Sequence, residues 1–260
     1  MVLTNENYYS PEANQAFMSV SQFKSFEVCE AAAMAELRGE FIRPKTTALL
    51  VGSYVDSWFE GTLDAFKTAN SEIFKRDGTL KADYAQAEKI IERVQRDTLF
   101  MEYMSGEKQV VRTGEIDGAP FKIKMDSYHP GKMIVDLKTS RSLQRIMGQS
   151  LVEHFGYDIQ GAVYQEIEGN HLPFYLAIVT KEDPPDMEIV EIEAPDLQNS
   201  LDYVRRNLPH IIAVKSGQVA PSRCGVCPYC RSTKVLKEPI PASDLGFSYY
   251  ELAAMRGEYV

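Results

Sequence analysis

No apolar stretch of this 260-residue chain approaches the roughly 20 residues that a membrane-spanning helix requires. The opening, MVLTNENYYSPEANQ, lacks the basic head and apolar centre of a secretory signal, so the expected location is the cytoplasm. Cysteine is scarce. The four present are Cys29, Cys224, Cys227 and Cys230, and in a reducing compartment they are expected as free, catalytic or metal-bound thiols, not disulfides. Internal repeats and low-complexity tracts are missing, which excludes solenoids and propellers. An excess of basic residues is missing too. With 28 Lys and Arg against 37 Asp and Glu, the net charge is −9. That weighs against nucleic-acid binding through overall charge but leaves room for a local basic patch.

What is present is an ordinary globular composition, 44% hydrophobic and 25% charged. The length suits one domain with an appendage. Residues 1–18 read as an irregular leader. A helix is expected from Ser21, with Phe23, Phe26 and Ala33 near helical spacing and Ser19 or Ser21 as its cap. Residues 45–66 and 82–104 carry two further helical patterns. Three short strands follow, Lys108–Arg112, Pro120–Tyr128 and Lys132–Leu137, separated by GEIDG and HPGK turns. Then come a helix (157–169), two strands (174–180 and 187–194) and a helix (196–214). This order predicts an α/β or α+β fold, with a mixed sheet flanked by helices.

The stretch IVDLKTSRS (134–142) sets Asp136 and Lys138 one residue apart at the end of an apolar strand, so both share one face and Leu137 takes the other. The preceding strand, KIKMDSY, joins it through HPGK as an antiparallel hairpin and brings Asp126 towards Asp136. Taken alone, D-x-K also suits an exposed strand-end ion pair. Two carboxylates on neighbouring strands with a Lys beside them suit Mg²⁺ or Mn²⁺, which take oxygen ligands. Such a site would activate water towards a phosphodiester.

KMDSYHPGKMIVDLKTS resembles the core of the PD-(D/E)XK nuclease superfamily, and in particular its RecB/RecE-like phage exonucleases. The resemblance implies a restriction-endonuclease-like core. It makes Asp126, Asp136 and Lys138 catalytic, with Asp126, Asp136 and the carbonyl of Leu137 binding the metal. Glu107 resembles a further acidic position of related phage proteins. YDIQGAVYQ resembles the Q-x-x-x-Y motif of these families, which implies DNA positioning by Gln160 and Tyr164. LLVGSYVDSWFEG resembles their G-x-x-x-H helix, but Asp56 stands where the His would be, so Asp56 becomes a candidate ligand in its place. Lys122, Lys124, Arg141 and Arg145 are candidates for a basic patch. The four histidines read as surface residues, with His154 nearest the site.

RCGVCPYCR places three cysteines within seven residues, spaced C-x2-C-x2-C, with Cys29 far upstream. That spacing suits one metal centre: a [4Fe–4S] cluster, as in bacterial ferredoxins, or a zinc ion held by four thiolates. The one-plus-three distribution resembles iron–sulfur nucleases of the AddB and CRISPR-adaptation types, in which a cluster staples the ends of the nuclease domain. The resemblance therefore implies [4Fe–4S], with Zn²⁺ as the alternative.

The expected organisation is a single nuclease-like domain over 1–260. It comprises a helical N-terminal part (18–106), a catalytic core (107–214), a cysteine-rich metal-binding segment (215–231) and a tail (232–260) in which SDLGFSYYELAAMRGEY reads as a short helix. The expected function is a Mg²⁺- or Mn²⁺-dependent exodeoxyribonuclease acting on linear DNA ends in phage recombination or repair. A phage single-strand annealing protein and further copies of the chain are the expected partners, and no membrane is involved. Two alternatives remain: a catalytically degenerate DNA-binding or assembly protein of the same fold, and an iron–sulfur redox protein.

Overall fold

The computed structural model describes residues 1–44, 46–236 and 239–246. These group into two compact units. One is Met1–Tyr8 with Pro44–Val204, and the other is Tyr9–Arg43 with the chain from Arg205 onward.

The first unit is built on a five-stranded mixed sheet in the order β1-β2-β3-β4-β5. The strands are β1 (Glu107–Ile116), β2 (Ala119–His129), β3 (Met133–Ser140), β4 (Phe174–Thr180) and β5 (Met187–Ile192). All neighbours are antiparallel except β3 and β4, which run parallel. A parallel pair needs a crossover, and α8 (Leu151–Phe155) with α9 (Tyr157–Glu168) supplies it. β1, β2 and β3 exceed the lengths expected from sequence, β4 matches its expected bounds, and β5 ends at Ile192, short of the expected 194. Gly114 and Glu115 continue β1, and the turn is confined to Asp117 and Gly118, both at positive φ. Two successive left-handed residues, Asp-Gly here, match the twist of a tight hairpin.

Alternation along β3 and β4 divides the side chains between two layers. Val135, Leu137, Ala177 and Val179 join a core with Val51, Tyr54 and Val55 of α4 (Thr47–Phe59) and Ile90, Ile91 and Val94 of α6 (Ala82–Gln95). The opposite parity, Asp136 and Phe174 among it, meets α9. Gly161 of α9 sits so close to Phe174 that an added Cβ would lie 2.7 Å from its ring. The second and third helical patterns each divide in two. α5 (Leu63–Ala69) follows α4, and α7 (Thr98–Tyr103) follows α6.

The second unit holds α1 (Pro11–Ala16), α2 (Val20–Val28) and α3 (Glu30–Leu37), with α11 (Pro228–Ser232). Residues read as an irregular leader thus include a short helix. Ser19 caps α2, accepting from Gln22 N–H. The expected single helix breaks at Cys29, whose extended backbone separates α2 from α3. α10 (Ala194–Lys215) runs from the first unit into the second and contains Pro209. Of the tail reading, a 3₁₀ turn covers Ala242–Asp244, and residues 247–260 lie outside the described residues. No helix among the described residues is long and apolar enough to cross a membrane.

Candidate active site

The site begins where a backbone ladder stops. β2 and β3 pair from His129↔Met133 to Ser127↔Val135 and no further, while β3 continues in register with β4 from Ile134 to Ser140. At the fork, Asp126 replaces the missing strand partner: its Oδ2 accepts the Leu137 N–H at 2.9 Å. Its Oδ1 accepts from Gln109 Nε2 at 3.2 Å. Gln109 is held at φ 53° between the pairs Lys108↔Ser127 and Val110↔Met125. A buried N–H left without a partner would cost free energy, so the Asp126 carboxylate stabilises the fork it occupies.

Asp136 lies on the other side of the fork, 2% exposed. Its Oδ1 accepts from Gln160 Nε2 at 2.6 Å, and its Oδ2 pairs with the ammonium of Lys138. The two carboxylates lie near enough for the charge of Asp136 to act on Asp126. Burial, then the charges of Asp136 and Asp56, push the Asp126 carboxyl well above the ordinary range. Burial lowers the affinity of Lys138 for its proton, but Asp136 and Asp126 outweigh it and raise its pKa.

Asp56 joins this group from the α4 layer. Its carboxyl is pushed up to about 7 by burial, then by Glu60 and Asp136, against the pull of Lys124 and Lys138. Gly52, one turn earlier, explains its reach. A Cβ there would stand 3.0 Å from Thr139 Oγ1, so the glycine lets α4 close on β3. Asp56 and Gln160 thus act on Asp136 from opposite layers, which is possible because the ladder is open between them.

Other expected residues land differently. Gln160 and Tyr164 are buried, at 9% and 8% exposure. Gln160 orients Asp136, and the Tyr164 hydroxyl donates to Lys124 O at 2.9 Å. Glu107 is exposed opposite Tyr128, and it is not among the charges that shift Asp126. Lys122 is no part of a surface patch: it is 1% exposed, its Nζ lies 4.6 Å from the Tyr8 ring centroid and donates to Tyr8 O. Burial lowers its pKa to about 8. Alternation along β2 could not show that Tyr8 covers this lysine. Arg141 and Arg145 are exposed.

Sequence reasoning missed Lys108, Gln109 and Glu60. Lys108 Nζ is buried 5.8 Å from the Phe59 ring centroid, and Asp126 and Asp56 partly offset the burial that lowers its pKa. Glu60 had a legible signal, standing one helical turn after Asp56. Asp56, Asp126 and Asp136, with Lys138 and Lys108 near them, form an acidic, oxygen-donor set of the chemistry that hard divalent cations take, without being closed about one point.

In the second unit, Cys29, Cys224, Cys227 and Cys230 come together with all four sulfurs within 4.8 Å of one another. Cys29 and Cys230 sulfurs are 3.5 Å apart, and those of Cys224 and Cys230 4.0 Å. Backbone N–H groups of Cys227 and Cys230 donate to the sulfurs of Cys224 and Cys227, at 3.4 and 3.3 Å. Burial raises the Cys224 pKa, but the N–H groups of Val226 and Cys227 outweigh it and leave it at about 7. Among the described residues, these thiols are the one set of three or more Cys, His, Asp or Glu already closed about a point.

Residues 19–233 match the family described as PDDEXK-like domain of unknown function (DUF3799). The crystal structure of a protein from Eubacterium rectale, described as "Putative exonuclease", superposes with a TM-score of 0.91 at 51% identity, over 95% of this chain and 98% of that one. The structure of SSO0001 shares 16% identity over 72% of this chain and 84% of that one, with a TM-score of 0.28, and carries no argument. Nothing among the curated proteins matches.

Proposed function

This chain belongs to the PDDEXK-like family DUF3799, and from that premise we propose that it is a divalent-metal-dependent deoxyribonuclease that acts at DNA ends. The supporting observation is the placing of Asp126 and Asp136 at the β2–β3 fork, with Lys138 paired to one and the Leu137 N–H bound by the other. The likeness to the Eubacterium rectale protein, described as an exonuclease, supports action at ends. The resemblance to phage exonucleases supports a role in recombination beside a single-strand annealing protein.

Asp126 and Asp136 would hold the cation, with the carbonyl of Leu137 and the carboxylate of Asp56 as further oxygen donors. When bound there, Mg²⁺ or Mn²⁺ would supply Lewis acidity at the phosphate and lower the pKa of water. Lys138 orients the attacking water and offsets negative charge growing on the phosphate oxygens. Gln160 fixes the Asp136 carboxylate so that its Oδ2 stays towards Lys138. Tyr164 braces Lys124 of β2 from α9. Lys124, Arg141 and Arg145 attract the strand despite the acidic total.

The test is digestion of linear and covalently closed circular DNA with Mg²⁺ or Mn²⁺, by wild type and Asp136→Ala. Linear DNA should be degraded by wild type alone, and circles should survive. If wild type and variant are equally inert under both metals, the enzyme reading fails and the degenerate DNA-binding reading replaces it.

For the four thiols, the geometry favours one tetrahedral ion such as Zn²⁺. Zn–S bonds of about 2.3 Å give a tetrahedron with edges of about 3.8 Å, close to the 3.5 and 4.0 Å separations of the closest sulfurs. A [4Fe–4S] cubane sets an iron behind each thiolate and spreads the sulfurs wider.

A further inference from the structure

Resting on the nuclease reading, we propose that Gln109 is a positioning residue: its carboxamide holds the Asp126 carboxylate in the orientation that receives the cation. The observation is a gap in the sheet. The β1–β2 register runs Lys108↔Ser127 and Val110↔Met125, and it passes over Gln109 and Asp126, which stand opposite each other. The β2–β3 register stops at Ser127↔Val135. Asp126 is thus the one residue of β2 that neither register includes. Its side chain is held instead. Oδ2 accepts the Leu137 N–H of β3 at 2.9 Å, and Oδ1 accepts from Gln109 Nε2 of β1 at 3.2 Å.

Gln109 occupies this place at a cost. Its φ of 53° lies in the left-handed region, where residues other than glycine are uncommon. It is 8% exposed. Its amide oxygen is buried without a hydrogen-bond partner among the described residues, and an unmet buried acceptor costs free energy. An apolar side chain of similar size would fill the space without that second cost. What the carboxamide adds is the bond to Asp126. Strain of this kind persists where the surrounding structure holds it, and such positions cluster at functional sites.

The chemistry of the group suits the role. Asp136 is held by the same kind of donor, Gln160 Nε2 of α9, at 2.6 Å. A carboxamide N–H fixes a carboxylate without bringing a positive charge that would repel an arriving cation. Each carboxylate oxygen has two lone-pair directions, so a single hydrogen bond leaves one open. A carboxylate already oriented loses less freedom when it binds. Hydrogen-bonding partners of metal ligands act in this way, and removing them weakens the metal without removing a ligand.

The experiment uses the full chain with Gln109→Met, which keeps the length and loses the donor, and Gln109→Asn, which is too short to make the same bond. Met leaves the backbone as strained as before, whereas Asn tolerates a left-handed φ. A loss shared by both therefore follows the missing hydrogen bond and not the backbone. Mn²⁺ binding without DNA is read from the electron paramagnetic resonance of the free ion, counting the binding that Asp136→Ala abolishes. Both variants should bind about 10- to 100-fold more weakly than wild type. On linear DNA both should need correspondingly more Mn²⁺, and excess Mn²⁺ should recover most of the rate, as it should not for Asp126→Ala. A lowered rate that no Mn²⁺ concentration recovers is the mark of a merely structural role and overturns the proposal. Cleavage by wild type with Mn²⁺ affinity unaltered in both variants overturns it too and leaves the nuclease reading standing. Weakened Mn²⁺ binding in both variants, with no cleavage even by wild type, does the reverse.

Discussion

Asp126, the proposed metal ligand at the fork, is pulled two ways. It satisfies the Leu137 N–H, yet burial and two neighbouring carboxylates disfavour its charge. Replacing it with Asn keeps an oxygen acceptor for that N–H and removes one of the repelling charges. The expected outcome is a metal-free protein that melts a few degrees higher than wild type, gains less from added Mg²⁺ and has lost cleavage. Thermal melts with and without Mg²⁺, beside a linear-DNA assay, check all three. A variant that melts lower than wild type in chelator would show that carboxylate repulsion does not govern stability there. The D-x-K triplet and its upstream Asp were legible because hairpin register and strand alternation are local rules. That Lys108 also faces Asp126 and Asp56 was not, since β1 meets α4 only through folding.

Among the elements, α4 decides whether the site has its third carboxylate. Gly52 permits the approach to Thr139, and Asp56 follows one turn later on the same face. Gly52→Val should push α4 away from β3 and cost about 1–3 kcal/mol through overpacking. It should also raise the Mg²⁺ concentration needed for half-maximal cleavage, in the same direction as Asp56→Ala, which removes the carboxylate without crowding. Metal titrations of the two variants, each with its melting temperature, separate packing from ligation. An unchanged metal requirement in both would remove Asp56 from the site. The helical pattern over 45–66 was readable. Its division after Phe59 was not, because Glu60 and Gly61 end α4 through a turn whose only mark in sequence is one glycine at positive φ.

For the molecule as a whole, the four thiols join segments 201 residues apart, Cys29 and Cys230, within the second unit. Holding such distant segments together restricts the unfolded chain, and a bound ion adds its own binding free energy to folding. Protein purified anaerobically should contain about one zinc per chain, the count that a single four-thiolate site holds. Chelation or Cys29→Ser should lower the melting temperature and strip hydrogen-exchange protection from α2, α3 and α11, while the sheet keeps its own. Stoichiometric iron and sulfide in place of zinc would overturn the single-ion reading and restore the cluster.

Sequence alone determined the five strands and the main helical segments, the placing of Asp136 and Lys138 on one face of a strand, and the gathering of three thiols on one short loop. These follow from periodicities and spacings that act over a few residues. Tertiary structure decided the rest: the fork that ends the β2–β3 ladder, the turning of Gln160 and Tyr164 inward, and the covering of Lys122 by Tyr8. The reason is that a strand or helix specifies which side chains share a face, whereas what covers that face depends on segments far away in the chain.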